Sequence, residues 1–137
     1  VLESEATAQA AARIDAAGLE RLQECLDEMH HDPQSGDGDV EAVTAADVRF
    51  HLVIAEIAGN PVLAALLEAL SDKTFRARVW RGYAQAGVFE RAWDQHRAIF
   101  RALRDRDPAQ AAAYAAAHVA DVEAFLRDNA PEDPGAT

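Results

Sequence analysis

Apolar residues recur at three- and four-residue steps along almost the whole of this chain, the spacing that places them on one face of an α-helix. The breaks between these runs carry residues with a mechanical reason to be there. Gly18 divides a first run, about Leu2 to Ala16, from a second, about Leu19 to His30, because glycine most readily takes a helix-ending conformation. The stretch 31–38 is polar and rich in turn formers and reads as a surface connection, after which Asp39 is placed to cap a third helix ending at Ala58. Gly59, Asn60 and Pro61 stop that helix and start a fourth, with Asn60 as N-cap and Pro61 at the first helical position, running to about Tyr83. A fifth helix follows Gly87 and runs to Arg106. Asp107, Pro108 and Gln110 then supply a cap, a first-turn proline and a capping-box glutamine for a sixth, which ends near Asn129. Residues 1–130 therefore read as one all-α domain, an antiparallel bundle of about six helices, and residues 131–137 as a disordered tail.

Composition agrees with this patterning and narrows the function. A chain of 137 residues with 50% hydrophobic content buries one core, and an apolar set dominated by alanine, with few β-branched residues, suits closely packed helices. The formal net charge of -11 gives a surface field that repels a polyanion, so this chain by itself is not expected to bind DNA. The single cysteine, Cys25, excludes an internal disulfide framework and reads as a small core residue in a reducing compartment. No apolar run approaches the length of a membrane span, and the first residues lack the order of a signal peptide, so a soluble cytoplasmic domain is expected.

Within the apolar stripes, three helices spend a central position on an ionisable residue. Asp47 and His51 are four apart, about 40° beyond a full turn, so both project from one helix face, and that face is the inward one of Val43, Phe50, Ile54 and Ala58. In the fifth helix the seam Phe89, Trp93, Phe100 and Leu103 has His96 at its middle. In the sixth the stripe Ala111, Tyr114, Val122 and Phe125 has His118 at its centre, with Asp121 one step to the side. Burying one carboxylate and three imidazoles unpaired costs several kcal/mol each, and a shared divalent cation removes that cost. Three nitrogens and one carboxylate suit Zn, Ni, Fe or Mn, with imidazole-rich sets favouring Zn or Ni, and four protein ligands leave positions for water or a ligand carboxylate. Each histidine taken alone is also consistent with a hydrogen-bonded core residue.

The fourth helix adds a cation to the same region. Its inward stripe, Leu63, Leu67, Leu70 and Thr74, continues to Arg78 and then Arg81, where a guanidinium can hold a carboxylate by a bidentate pair; Arg76, Arg78 and Arg81 are equally consistent with solvated surface groups. His30 and His31, beside the polar connection, read as exposed and uninvolved. Trp80 and Trp93 read as packing residues, since no basic groove accompanies them.

The pieces Asp47-Val48-Arg49-Phe50-His51, Ala58-Gly59-Asn60-Pro61, Gln95-His96-Arg97-Ala98-Ile99, Asp107-Pro108 and Ala117-His118-Val119, in this order and spacing, resemble the FCD domain, the FadR-type C-terminal domain of GntR-family regulators. The resemblance covers essentially the whole chain. It implies an antiparallel bundle that binds a small effector, usually an organic acid, and passes its occupancy to a winged helix-turn-helix domain placed before it, a segment expected in the full-length protein and not present here. It also implies homodimerisation, and DNA contact only through that other domain. In the metal-binding branch of the family the implied ligands fall on Asp47, His51, His96 and His118. The reading that results is a metal-dependent, organic-acid-binding and dimerising domain, without enzymatic activity and without a membrane partner, in which Arg78, Arg81 and Asn60 are candidate ligand contacts. Two alternatives stay open on the residues alone. One is a small hydrolase-like metalloenzyme with Asp121 as its second carboxylate; the other is a structural bundle acting through protein partners.

Overall fold

Six helices follow one another in the order α1 (Leu2–Arg13), α2 (Ala16–Met29), α3 (Val40–Ala58), α4 (Pro61–Ala84), α5 (Val88–Arg104) and α6 (Pro108–Asp128). They come from a computed structural model that describes residues 2–30, 40–84 and 87–128, apart from the side chains at 81–84 and 126. No strand occurs among these residues. The expected connection at 31–38, the cap at Asp39, His31 and the tail at 131–137 lie outside them.

Helix starts follow the capping chemistry with one correction. Asn60 Oδ1 accepts from the Leu63 N–H at 3.1 Å, and Asp107 Oδ1 accepts from the Gln110 N–H at 3.1 Å, so α4 and α6 begin where short polar side chains satisfy free amides ahead of a first-turn proline. The break between α1 and α2, however, is not at Gly18. It lies at Asp15, whose extended backbone and side chain cap α2 by accepting the Gly18 N–H at 2.8 Å. Gly18 sits inside the first turn of α2, where a Cβ would lie 3.0 Å from Ile57 Cδ1. The glycine is therefore explained by the close crossing of α2 and α3. Gly59 is the helix-ending one, with φ of +75° just after α3.

The fifth helix stops two residues before the expected Arg106. Arg106 takes φ of +53°, and the Asp107 N–H bonds back to the Ala102 carbonyl at 3.0 Å. The Arg106 guanidinium then donates to the Ile14 carbonyl at 2.6 Å, closing the C-terminal end of α1.

α3 lies at the centre, packed against α1, α2 and α4, while α1 also packs on α6, and α5 lies against both α6 and α2. Phe50 and Ile54 of α3 meet Leu22, Ile99 and Leu103 in the core, and alanines such as Ala10, Ala46 and Ala111, fully buried, let the helix axes approach closely. Cys25 is buried as expected, and burial pushes its thiol pKa up, so it is a core residue with little thiolate character.

Two stripe positions are corrected. On α4 the buried row runs Leu63, Leu67, Ser71 in four-residue steps, leaving Leu70 48% exposed. Such a row drifts about 40° per step, so the inward face rotates along the helix. On α6 the buried row is Ala111, Ala115, His118, and Tyr114 turns outward, 42% exposed.

Candidate metal centre

α3 presents Asp47 and His51 one turn apart on the face it buries, α5 presents His96 on the row completed by Ile99 and Leu103, and α6 presents His118 beyond Ala111 and Ala115. Because α3 is flanked by α1 while α5 and α6 pack together, the three rows face one volume. His51 and His118 are buried and His96 is 0% exposed. The Phe50 ring stands edge-on to His51 and His96, at centroid separations of 5.6 and 5.0 Å, and the ring planes of His51 and His118 lie parallel at 5.3 Å. These contacts fix the ring orientations without consuming the nitrogens.

The donors converge. Asp47 Oδ1 lies 2.9 Å from His96 Nε2 and 3.1 Å from His51 Nε2, and those two nitrogens are 3.0 Å apart. One ligand atom from each of the four residues lies within 4.8 Å of all the others. Despite its neighbours, Asp47 Oδ1 has no hydrogen-bond partner of good geometry among the described residues, and His96 Nδ1 is likewise buried without one. Electrostatics match this crowding. Burial on its own raises the Asp47 pKa, but attraction to His96 and then His51 outweighs it and holds the carboxyl well below the usual range, so it is an anion. Burial, reinforced by repulsion from His96 and His51, pushes the His118 pKa well down and keeps that ring neutral. His51 goes the other way: burial lowers its pKa, but Glu3 and Asp47 outweigh that and raise it.

An orphaned polar atom in a core costs about 1–3 kcal/mol, against a total stability of about 5–15 kcal/mol for a domain. A cation at the point where Asp47 Oδ1 meets the Nε2 atoms of His51 and His96 would satisfy that oxygen and those two nitrogens together. For Asp47, His51 and His96 the spacing fits: two ligands about 2.1 Å from one ion at a right angle are about 3.0 Å apart, whereas a tetrahedral pair is about 3.4 Å apart.

A cavity of about 310 Å³ opens beside His118, lined also by Leu67, Ser71, Thr74, Arg78 and Glu3. Arg78 is partly buried, with Nη1 3.8 Å from Asp47 Oδ2 and Nε buried without a partner among the described residues. The structure thus brings Asp47, His51, His96, His118 and Arg78 together. Asn60 is not with them: it is exposed, and its side chain caps α4. The Arg81 side chain lies outside the description, and Arg76 is exposed. Asp121 is turned to the side, accepting from Arg91 Nε at 3.2 Å and Gln95 Nε2 at 3.4 Å. His30 is exposed, its ring 4.6 Å from that of Trp93, whose indole N–H donates to the Leu26 carbonyl at 3.1 Å. Trp80 is 49% exposed against Phe125.

Three residues around the site escaped the sequence reading. Glu3 of α1 places Oε2 3.4 Å from His51 Nδ1, Gln95 Oε1 meets His118 Nδ1 at 2.6 Å, and Ser71 lines the cavity. Glu3 stands 48 positions from His51, and only the crossing of α1 over α3 joins them.

Comparison with known proteins gives the family. Residues 1–121 match the family described as FCD domain. The chain is 32% identical over 131 residues to the HTH-type transcriptional regulator LutR of Bacillus subtilis (strain 168), covering 92% of this chain and 58% of that protein. It is 36% identical over 112 residues to the HTH-type transcriptional repressor NanR of Cronobacter sakazakii, covering 80% and 41%. It is 31% identical over 109 residues to the galactonate operon transcriptional repressor of Escherichia coli (strain K12), covering 72% and 41%. Among solved structures, E. coli McbR/YncC superposes with a TM-score of 0.78 at 22% identity, over 93% of this chain and 63% of that one, which shows a shared fold. The chain thus spans less than two thirds of the length of each of these proteins.

Proposed function

The chain belongs to the FCD-domain family of GntR-type regulators, and from that premise we propose that it is the sensing domain of a transcription regulator, in which a divalent metal ion held by Asp47, His51, His96 and His118 anchors a small organic acid. One observation carries this reading: four donor atoms from three helices lie within 4.8 Å of one another in an apolar interior, with the partly buried guanidinium of Arg78 beside them.

The donor set of three imidazoles and one carboxylate favours Zn or Ni. When bound, the ion supplies a positive charge with positions left over for a ligand carboxylate. The protein's own groups do the rest. Asp47 contributes an anion, His118 a neutral ring, and Arg78 directs an unpaired Nε–H and a fork of further donors at the same region, a geometry suited to bidentate contact with a carboxylate. The cavity of about 310 Å³ is at the small end of ligand pockets and suits a compact acid. Leu67 and Val122 give it apolar walls, and Ser71 and Thr74 lie among its lining residues.

Regulation follows from the packing. Leu2 and Glu3, in the first turn of α1, line the same cavity, so occupancy biases the placement of the helix nearest the chain's start. In a homodimer, such a bias changes the spacing of two attached DNA-binding domains. Metal analysis of the purified protein, followed by calorimetry with small hydroxy- and dicarboxylates before and after chelation, tests the proposal. Stoichiometric metal and acid binding that disappears with chelation supports it; a metal-free protein that takes up no added Zn or Ni overturns it.

A further inference from the structure

His118 contacts a side chain that assigns its proton. Its Nδ1 lies 2.6 Å from Gln95 Oε1, and Gln95 Nε2 lies 3.4 Å from Asp121 Oδ2, which also accepts from Arg91 Nε at 3.2 Å. An ionised carboxylate only accepts hydrogen bonds, so Asp121 requires the amide NH₂ of Gln95 to face it. The carbonyl Oε1 is then turned to His118, and it too only accepts. The ring must therefore carry its proton on Nδ1, which leaves the Nε2 lone pair for the cluster.

The other two imidazoles lack such an arrangement. Among the described residues His51 Nδ1 has a longer contact with Glu3, at 3.4 Å, and His96 Nδ1 has no partner. α5 thus carries, on adjacent residues, a ligand of its own in His96 and a group that prepares the ligand on α6.

We propose that Gln95, oriented by Asp121, is a positioning residue that selects the His118 tautomer presenting Nε2 to the metal. The inference rests on the metal-sensor reading for its consequence, but its structural content stands in the metal-free protein. Outer partners of this kind typically change metal affinity 10–100-fold when removed.

The test compares the parent with Gln95→Leu and with the double variant Gln95→Glu, Asp121→Asn, which reverses the polarity of the pair while keeping an acceptor on His118. Long-range ¹H–¹⁵N spectra of the metal-free parent at neutral pH are expected to show His118 protonated at Nδ1. Gln95→Leu is expected to admit the Nε2-protonated form and to bind zinc about 10–100-fold more weakly, and the double variant to restore both. Protonation at Nε2 in the metal-free parent overturns the inference whether or not any variant folds. An unchanged tautomer together with unchanged zinc affinity in Gln95→Leu also overturns it. A parent that shows the Nδ1 form but takes up no zinc sinks the metal reading instead and upholds the role of Gln95 in setting the tautomer.

Discussion

Replacing His96 by alanine separates a metal-linked bundle from one that is merely hydrogen-bonded. The imidazole is fully buried, so its removal costs packing, about 2–4 kcal/mol for a side chain of this size. Its Nδ1 has no partner among the described residues, so removal also relieves about 1–3 kcal/mol of unsatisfied polarity, part of which is offset by losing the Nε2 contact that helps hold Asp47 as an anion. These terms oppose each other, and without metal the variant should lie within about 3 kcal/mol of the parent. Metal changes the comparison. At a free zinc concentration about 100 times Kd, the parent gains about 2.7 kcal/mol from binding to the folded state alone. For a chain of this length that corresponds to an upward shift in Tm of roughly 10 °C. With one of its four donors gone, His96→Ala should show almost none of this. Scanning calorimetry on both proteins, with zinc and with a chelator, reads the difference. A variant that keeps the zinc-induced shift, or a parent that shows none, refutes the reasoning.

Other outcomes follow from the same geometry. Arg78→Gln should leave zinc affinity within a few-fold of the parent, because the guanidinium is 3.8 Å from Asp47 and donates no ligand, yet weaken organic-acid binding by about 2 kcal/mol, roughly 30-fold, by titration calorimetry. Zinc affinity should rise with pH. Glu3 and Asp47 raise the His51 pKa in the folded metal-free state against the effect of burial, so in mildly acidic solution zinc must displace a proton from that ring while His118 is already neutral. Calorimetry in buffers of different ionisation enthalpy should therefore detect proton release on zinc binding that diminishes as pH rises, and no release at all would contradict the assignment. The sign for stability follows: the proton on His51 stabilises the metal-free fold below pH 6.5 and is lost as pH rises through its raised folded-state value. Asp15→Ala should cost about 1 kcal/mol in denaturant unfolding, because α2 begins at the Asp15 cap; no loss would contradict that boundary.

Much of this architecture was legible in the chain because helix period and capping chemistry are local. Asn60 with Pro61, and Asp107 with Pro108, announce helix starts through bonds made within three residues, and the histidines at the centres of apolar stripes announce a polar cluster in the core. Where two local signals competed, the sequence was ambiguous. Gly18 and Asp15 both mark a boundary, and only the approach of Ile57 shows that the glycine serves a helix crossing. The inward faces of α4 and α6 were misplaced at Leu70 and Tyr114 because a periodic pattern does not show how far a face rotates along an obliquely crossing helix.

The sequence by itself determined the all-α fold class, where most helices begin, and which four residues could serve as ligands, since each depends on neighbours a few positions away. Tertiary structure decided whether those candidate donors meet, that Arg78 joins them while Asn60 does not, and that Glu3 and Gln95 stand behind them. Those relations connect atoms up to 48 residues apart, and such distances are set by how α1, α3, α5 and α6 cross, which no periodicity within one helix encodes.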